Sequence, residues 1–301
     1  MHLARFLILL IVLTGGASAA VAQTDPKFEY KKADDLKDVD ETEWNATAEA
    51  GLVFTTGNSR TTTLSGTVKA QRKEKRNMLS LEATGTFARA SNLAAVDTDA
   101  NGMISADELD RVSTTSAKNL AGKLRYDRFL TSWDALFIAA LGGVDPIAGK
   151  DFAGGGQLGY ARTMYKSDKH TVTLEGGYDF SYEDYVADTN PSVSIHSARG
   201  FLGYEGVLTE TTKLTASGEA LANLNDTTVA KRFDDIRATA KLELSTKITK
   251  DIALSISFLA KYDHAPAPAA LPAGLTADAA NPPLAEELDT TTKASLIVTL
   301  L

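Results

Sequence analysis

Oxygen-bearing side chains recur at fixed spacing between residues 97 and 108, and this segment carries the clearest chemistry in the chain. Their order follows the pattern D-x-[DN]-x-[DN]-G-x₅-E, in which the glycine lets the chain turn sharply around one ion. Calcium prefers roughly six to eight oxygen ligands in a flexible arrangement. The pattern therefore predicts one calcium site, with ligands from the side chains of Asp97, Asp99 and Asn101, the carbonyl oxygen of Met103, a water held by Ser105 and both carboxylate oxygens of Glu108.

This segment is similar to the loop of an EF-hand, although its surroundings differ from those of a paired EF-hand. Only one such loop is visible in the sequence, and residues 88–93 before it are poor helix formers. We therefore expect weak binding, with a dissociation constant of about 10⁻⁴ to 10⁻³ M, as in extracellular modules. The alternative is an outer loop that is acidic only because it is solvated.

From Trp44 onward, apolar and polar residues alternate with a period of two, which is typical of a β-strand with two different faces. In residues 171–183, for example, Leu174 and Phe180 lie on one face and Glu175 lies on the other. Helical spacing does not fit these windows. The alternation predicts an all-β chain of about twelve strands, at approximately 44–55, 61–72, 78–90, 115–127, 132–143, 153–164, 170–183, 193–207, 212–224, 235–247, 251–262 and 290–301.

The connections between these runs alternate in length. Every second connection is a tight turn, as at residues 73–77 and 128–131, whereas the others are mostly longer, as at residues 91–114 and 263–289. Short turns on one side and long loops on the other are typical of outer-membrane barrels, and an even strand number places both chain ends on one side. We therefore predict an antiparallel up-and-down transmembrane β-barrel.

The first residues predict export. Arg5 precedes an apolar run at 6–13, and small residues follow as far as Ala22, which is the organisation of a secretory signal peptide. The apolar run is shorter than the roughly twenty residues that a membrane-spanning helix needs. We therefore divide the chain into a signal peptide (1–22), a charged periplasmic leader (23–43) and an outer-membrane barrel (44–301) with the calcium loop (97–108) in an outer loop.

The composition limits the partners of the chain. It has no cysteine, so disulfides cannot stabilise it. Its formal net charge is −8, whereas a nucleic-acid-binding surface needs an excess of basic residues. No second apolar run is long enough to cross a bilayer as a helix, which leaves a closed barrel as the way into a membrane. The expected partners are outer-membrane lipid and, during insertion, the barrel-assembly machinery.

Alternation alone is compatible with two orientations of the strand faces. With its apolar face inward, the chain is a soluble periplasmic β-protein with a calcium-binding loop. With its apolar face outward, it is a membrane barrel with a polar lumen. A barrel of about twelve strands is too wide for apolar side chains to fill, because larger barrels enclose cavities or channels. Barrel width therefore favours the membrane orientation.

The polar faces carry charges of both signs, which favours ion pairs across the lumen over a filter of a single sign. The basic members are Lys69, Lys123, Arg125, Arg199, Lys213, Arg237, Lys241 and Lys261. The acidic members are Glu49, Glu82, Glu175, Asp179, Glu183, Glu205, Glu219 and Glu243. Aromatic residues near strand ends are expected to form the girdle at the membrane interface, namely Trp44, Tyr126, Trp133, Tyr185 and Tyr262.

Ser194 and His196 raise a third alternative, an outer-membrane hydrolase. Nucleophilic catalysis of this kind needs a serine, a histidine and an orienting carboxylate in one site. No sequence signature brings these three groups together here. We therefore predict that the chain is not an enzyme.

Several motifs resemble, in the same order, the salt-induced outer-membrane proteins, a family described as a domain of unknown function. They are W-N-A-T-A-E-A-G at 44–51, T-G-N-S at 56–59, R-Y-D at 125–127, D-P at 145–146, L-G-Y at 158–160, E-G-G-Y at 175–178 and E-D-Y at 183–185. The resemblance covers roughly residues 44–301. It implies a barrel in the outer membrane of a Gram-negative bacterium, a link to salt or osmotic stress and no known enzymatic activity. The expected role is structural, or that of a narrow and weakly selective pore.

Overall fold

A computed structural model of the chain describes residues 42–55, 59–95, 109–186, 192–228, 230–266, 284 and 286–300. These residues confirm the predicted all-β, twelve-stranded antiparallel barrel. The strands are β1 (Glu43–Thr55), β2 (Ser59–Glu74), β3 (Asn77–Ala95), β4 (Leu109–Phe129), β5 (Asp134–Asp145), β6 (Lys150–Lys166), β7 (His170–Tyr185), β8 (Val193–Val207), β9 (Thr212–Asn223), β10 (Ile236–Lys247), β11 (Ile252–Asp263) and β12 (Leu288–Thr299).

The predicted signal peptide, nearly all of the predicted leader and the whole calcium loop lie outside the described residues. In the part of the chain that is described, no helix has the length and apolar character needed to span a membrane.

Each strand pairs with its neighbours in sequence, and β1 pairs with β12 to close the ring. The closing ladder is short and runs from the pair Thr47–Thr299 to the pair Ala50–Leu296. Just beyond it, the backbone N–H of Leu300 donates to the carbonyl oxygen of Ala46 at 2.8 Å. Closure pairs the backbone groups that an open sheet would leave exposed at its edges.

Hydroxyl side chains hold the tight turns at one end of the barrel, which we call the turn end. Oγ1 of Thr209 accepts a hydrogen bond from the backbone N–H of Thr212 at 3.0 Å. Thr131, Ser167 and Thr249 hold the turns before β5, β7 and β11 in the same way. These side chains mimic a backbone turn and so favour reversal of the chain at these points. We call the opposite end the loop end.

Burial in this barrel is the reverse of that in a soluble protein. In β7, Leu174 is 47% exposed, whereas the adjacent Glu175 is only 3% exposed. The strands therefore direct their apolar faces outward and their polar faces into the lumen, as barrel width favoured. Large exposed residues of the outer face include Leu64, Leu120, Leu136, Ile138, Leu158, Leu202, Leu242 and Ile256.

The hairpin of β3 and β4 is longer than the sequence predicted. The strands were expected at 78–90 and 115–127, but their ladder continues to the pair Ala95–Leu109. Beyond residue 90 the apolar alternation fades, yet the pairing continues through pairs of mixed character, including one in which the hydroxyls of Ser91 and Ser113 lie 2.7 Å apart. The flanks of the predicted calcium loop are therefore strands and not the helices of an EF-hand.

One residue of the predicted aromatic girdle is wrong. Trp44, Tyr126 and Trp133 are exposed on the outer face near the turn end, as predicted. Tyr185, in contrast, is buried, and its hydroxyl donates to Oε2 of Glu183 at 3.2 Å. The reason is parity, because odd-numbered residues of β7 face the lumen and Tyr185 is one of them.

Candidate functional site in the barrel lumen

A layer of buried ion pairs crosses the lumen, and we call its members, Arg125, Asp127, Glu175, Arg199 and Glu219, the central layer. They project from β4, β7, β8 and β9. Arg125 donates through Nη2 to Asp127 at 2.6 Å and through Nη1 to Glu175 at 3.1 Å. Arg199 donates through Nη1 to Glu175 at 2.6 Å and through Nε to Glu219 at 2.6 Å. Each arginine therefore holds two carboxylates, and Glu175 joins the two arginines.

An aromatic ring supports this layer. The guanidinium carbon of Arg125 lies 4.1 Å from the centroid of the Phe137 ring, and that of Arg199 lies 5.4 Å from it. The ring fits because Gly159 has no side chain: a Cβ there would lie 2.8 Å from Phe137 Cζ and 2.5 Å from the carbonyl oxygen of Gly176. Glycine in β6 thus makes room for the ring that carries both arginines.

The central layer lies between two cavities of the lumen. The cavity at the turn end has a volume of about 460 Å³ and includes Thr171 of β7 and Thr215 of β9 in its lining. The cavity at the loop end has a volume of about 190 Å³ and includes Asp179 of β7 and Leu221 of β9. Along β7, Glu175 lies between these two levels. The lumen is therefore narrowed by its own charged side chains.

The turn-end cavity carries balanced charge. Its lining includes the four basic residues Lys69, Lys169, Lys213 and Lys247 and the four acidic residues Glu49, Glu205, Glu210 and Glu243. Because basic and acidic residues are equal in number, this end of the lumen has no strong electrostatic field of one sign.

A second group of ion pairs lies near the loop end. Nζ of Lys150 donates to Oε1 of Glu183 at 2.8 Å, and Nη1 of Arg237 approaches the same oxygen at 3.4 Å. Nε of Arg237 lies 3.7 Å from Oδ2 of Asp235. Asp235 belongs to the connection before β10, and burial raises the pKa of its carboxyl although Arg237 partly offsets this effect.

The wall formed by β1–β3 and β10–β12 is different, because small hydroxyl side chains lie there among lysine–glutamate ion pairs. Oγ1 of Thr67 and Oγ1 of Thr84 are 3.1 Å apart, and Nζ of Lys293 is 2.6 Å from Oε1 of Glu49. Ser255, also on this wall, is buried, and its hydroxyl has no hydrogen-bond partner among the described residues. Small polar side chains on this wall leave open the space that Arg125 and Arg199 fill on the side of β4 and β8.

The predicted pairing of opposite charges across the lumen is confirmed, as shown by Arg125 with Glu175. Sequence reasoning missed Asp127 and the supporting ring of Phe137 at the central layer. It also missed Lys150, Asp235 and Lys293 in the other ion pairs of the lumen. Asp127 is two residues beyond Arg125 and therefore shares its face, a signal that was available. Phe137 looked like an ordinary apolar residue, and nothing local marks it as inward-facing.

The predicted calcium ligands Asp97, Asp99, Asn101, Met103, Ser105 and Glu108 all lie outside the described residues. Among the residues that the structure does describe, no group of three or more potential metal ligands is close enough to hold an ion. The described part of the chain therefore contains no metal centre of this kind, and the calcium site stays a prediction for residues 97–108.

His196 lies on the outer face of β8, in an aromatic setting. Its Nδ1 hydrogen-bonds to the hydroxyl of Tyr178, and its ring centroid lies 5.2 Å from that of Phe180. Ser194, two residues away, is exposed on the same face. Among the described residues, the ring of this histidine contacts the aromatic side chains of Tyr178 and Phe180, whereas a catalytic triad requires a carboxylate.

Solved structures with a similar fold include several outer-membrane proteins. The NanC porin aligns with a TM-score of 0.45 at 9% identity, over 85% of this chain and 100% of the porin. An outer membrane channel from Pseudomonas putida F1 aligns with a TM-score of 0.47 at 12% identity, over 86% of this chain and 95% of the channel. An anion-selective porin from Comamonas acidovorans aligns with a TM-score of 0.35 at 8% identity, over 86% and 100%. These likenesses say nothing about the solute or selectivity of this chain.

None of the curated proteins compared with the sequence matches it. A family model does match, over residues 48–300, and its description is "Protein of unknown function, DUF481". The match begins within β1 and includes every later strand. The chain therefore belongs to the DUF481 family.

Proposed function

We propose that this protein is a non-enzymatic barrel of the outer membrane of a Gram-negative bacterium, and that small solutes pass through its narrow, weakly selective lumen. The observation that carries the proposal is the reversed burial, with leucines and isoleucines exposed outside and ion pairs buried inside. A soluble protein rarely exposes an apolar surface that is continuous around the molecule.

The dimensions of the barrel support membrane insertion. The shortest strands, such as β5 and β9–β12, have 12 residues each. At a rise of roughly 3.3 Å per residue and a tilt of about 40° they cover roughly 30 Å, close to the apolar thickness of a bilayer. Trp44, Tyr126 and Trp133 lie near one end of this span, where aromatic side chains favour the membrane interface. The soluble alternative requires the apolar face inside, where the structure has charged residues.

The lumen supports a narrow passage of weak selectivity. Charges of both signs are paired within it, so no single sign of charge lines the whole path. The central layer narrows the cross-section of the lumen, and the space that stays open lies beside the wall formed by β1–β3 and β10–β12. The runner-up is a structural barrel that does not conduct, in which the same ion pairs act only as an internal brace.

Three measurements test this proposal in sequence. The protein should fractionate with the outer membrane, and the detergent-extracted barrel should migrate differently on gels before and after heating. In planar bilayers, the purified chain should give small conductance steps, and in a salt gradient the reversal potential should stay well below that of a pore that passes ions of only one sign. A chain that stays in solution without detergent would refute membrane residence. An inserted barrel that gives no steps would favour the structural role.

A calcium-binding outer loop at residues 97–108 is the second part of the proposal. The spacing of its oxygen ligands supports it. The ladder of β3 and β4 adds support, because it holds Ala95 and Leu109 opposite each other. Both ends of the loop therefore start side by side, as needed when Asp97 and Glu108 bind one ion.

Calorimetry on the refolded barrel tests calcium binding. We expect heats of binding for Ca²⁺ at millimolar concentration, and their loss in the Glu108→Gln variant. Glu210→Gln, in the exposed turn before β9, is the matched control and should bind as the unchanged chain does. Equal heats in all three proteins would refute the site. The link to salt or osmotic stress rests on the sequence resemblance, and transcript levels measured after a salt upshift test it.

A further inference from the structure

We propose that the loop-end cavity binds a small organic cation of the ammonium or guanidinium class. The inference rests on the proposed function, because it assigns a class of solute to the same lumen. The two ends of the lumen then differ, because the loop-end cavity binds a cation whereas the turn-end cavity carries equal numbers of basic and acidic residues.

The charge of the cavity is the first argument. Seven carboxylate side chains and three cationic side chains line it. Two of the three cations, Lys150 and Arg237, already share Glu183 as an ion-pair partner. Four of the seven carboxylates, Asp263, Glu286, Glu287 and Asp289, come from the end of β11 and from the residues at and just before the start of β12. An excess of carboxylates in a confined, partly desolvated space attracts cations and repels anions.

A buried amide supplies the second, independent argument. Gln157 lines this cavity and is only 3% exposed. Its Nε2 donates to Oδ2 of Asp179 at 2.9 Å, and the hydroxyl of Ser181 donates to Oδ1 of Asp179 at 2.7 Å. An ionised carboxylate only accepts hydrogen bonds, so the amide nitrogen must face Asp179 and the amide oxygen must point away.

That amide oxygen, Oε1 of Gln157, has no hydrogen-bond partner among the described residues. A buried acceptor without a donor is costly, and native proteins generally satisfy such atoms with a ligand or an ordered water. A cation that carries N–H groups meets both requirements at once, because it donates to the amide oxygen and neutralises the neighbouring carboxylates. An anion or a neutral acceptor meets neither.

The size and ligand geometry favour an organic cation over a metal ion. The cavity volume of about 190 Å³ is several times the roughly 30 Å³ that one water occupies in the liquid. No group of three or more potential metal ligands close enough to hold an ion occurs among the described residues. Divalent cations need such a compact oxygen shell. A solute of a few carbon atoms with an ammonium or guanidinium group fits this space better.

Calorimetry on the full chain in detergent tests the site with three ligands of the same length. We expect 1,4-diaminobutane to bind, and 1,4-butanediol and succinate not to bind. Gln157→Leu removes the amide oxygen and should weaken diamine binding about tenfold, the effect of losing one hydrogen bond to a charged group. Gln157 is buried, so the exposed double variant Glu286→Gln with Glu287→Gln provides a second test without risk to folding, and it should also weaken binding. Glu210→Gln at the turn end should leave binding unchanged.

The outcomes separate this inference from the proposed function. Equal binding of diamine and diol, equal binding by Mg²⁺, or diamine binding unchanged in both loop-end variants would overturn the cation site. A barrel that conducts in planar bilayers but does not bind the diamine refutes the site and leaves the pore intact. A barrel that binds the diamine but does not conduct supports the site and refutes the pore.

Discussion

Replacing Glu175 by glutamine should destabilise the barrel more than any single substitution of an exposed polar residue. Glu175 lies between Arg125 and Arg199, at 3.1 and 2.6 Å from their nitrogens, and all three side chains are buried. Glutamine has nearly the same shape but no charge. The variant therefore leaves two guanidinium groups facing each other with one of their counter-ions removed.

The size of the effect follows from Coulomb's law. Two cations about 7 Å apart repel each other by roughly 2 kcal/mol at an effective dielectric constant of about 20. The variant also loses two charge-assisted hydrogen bonds, although it no longer has to desolvate a carboxylate. Removing one partner of a buried ion pair typically costs about 3 to 5 kcal/mol, and we expect a loss in that range.

Urea unfolding from lipid vesicles measures this loss, with the fluorescence of Trp44 and Trp133 on the outer face as the signal. At a slope of about 3 kcal/mol per molar urea, the midpoint should fall by roughly 1 M or more. Glu210→Gln, in an exposed turn, should change the free energy of unfolding by no more than about 0.5 kcal/mol. An unchanged midpoint for the Glu175 variant would refute the view that these ion pairs hold the barrel together.

Three further predictions use the same unfolding assay. Gly159→Val should lower the free energy of unfolding by at least about 2 kcal/mol, because its Cβ would lie 2.5 Å from the backbone oxygen of Gly176. Gly200→Ala is the control, because its Cβ meets no described atom within 4 Å, and it should cost under about 1 kcal/mol. Equal losses would show that the space at Gly159 is not needed for packing. Leu242→Arg in the middle of β10 should lower the free energy of unfolding by about 2 to 4 kcal/mol, and Ile248→Arg in the adjacent turn by about 0 to 1 kcal/mol. Similar losses for both variants would show that the outer face does not contact lipid. Burial raises the pKa of Asp235 in the folded state, so the folded protein holds this proton more tightly than the unfolded chain does. Stability should therefore fall as pH rises from about 4 through the raised pKa, and Asp235→Asn should remove this part of the pH dependence. Stability curves against pH that stay parallel in the variant and the unchanged chain would show that this carboxyl is not the source.

The faces of the strands could be predicted because they depend on neighbouring residues alone. Leu174 and Glu175 are adjacent in sequence and must point to opposite sides of the sheet. Barrel width then decided which side is outside. The limits of β3 and β4 could not be predicted in this way, because polar pairs such as Ser91 with Ser113 extend the ladder after the apolar pattern has ended.

The contacts of the central layer depend on information that no local pattern contains. Arg125 and Glu175 are separated by fifty residues, and they meet only because the stagger of strands β4 to β7 brings them to one level. A shift of a strand by two residues would keep every side chain on its face and change every partner. Sequence therefore predicted that opposite charges would pair across the lumen, but it could not predict which of them would do so.

If the lumen conducts as we propose, the same ion pairs connect the stability of this barrel to its permeability. In the proposed membrane setting the outer surface faces lipid, so the hydrophobic effect that drives soluble proteins to bury apolar groups does not hold the interior together. Charge pairs and the Phe137 ring fill that role on one wall, and they are also the side chains that narrow the lumen. Substitutions that widen the passage by shortening Arg199 must therefore weaken the barrel. A wider lumen at unchanged stability requires changes on the wall formed by β1–β3 and β10–β12, where the hydroxyl of Ser255 has no hydrogen-bond partner among the described residues.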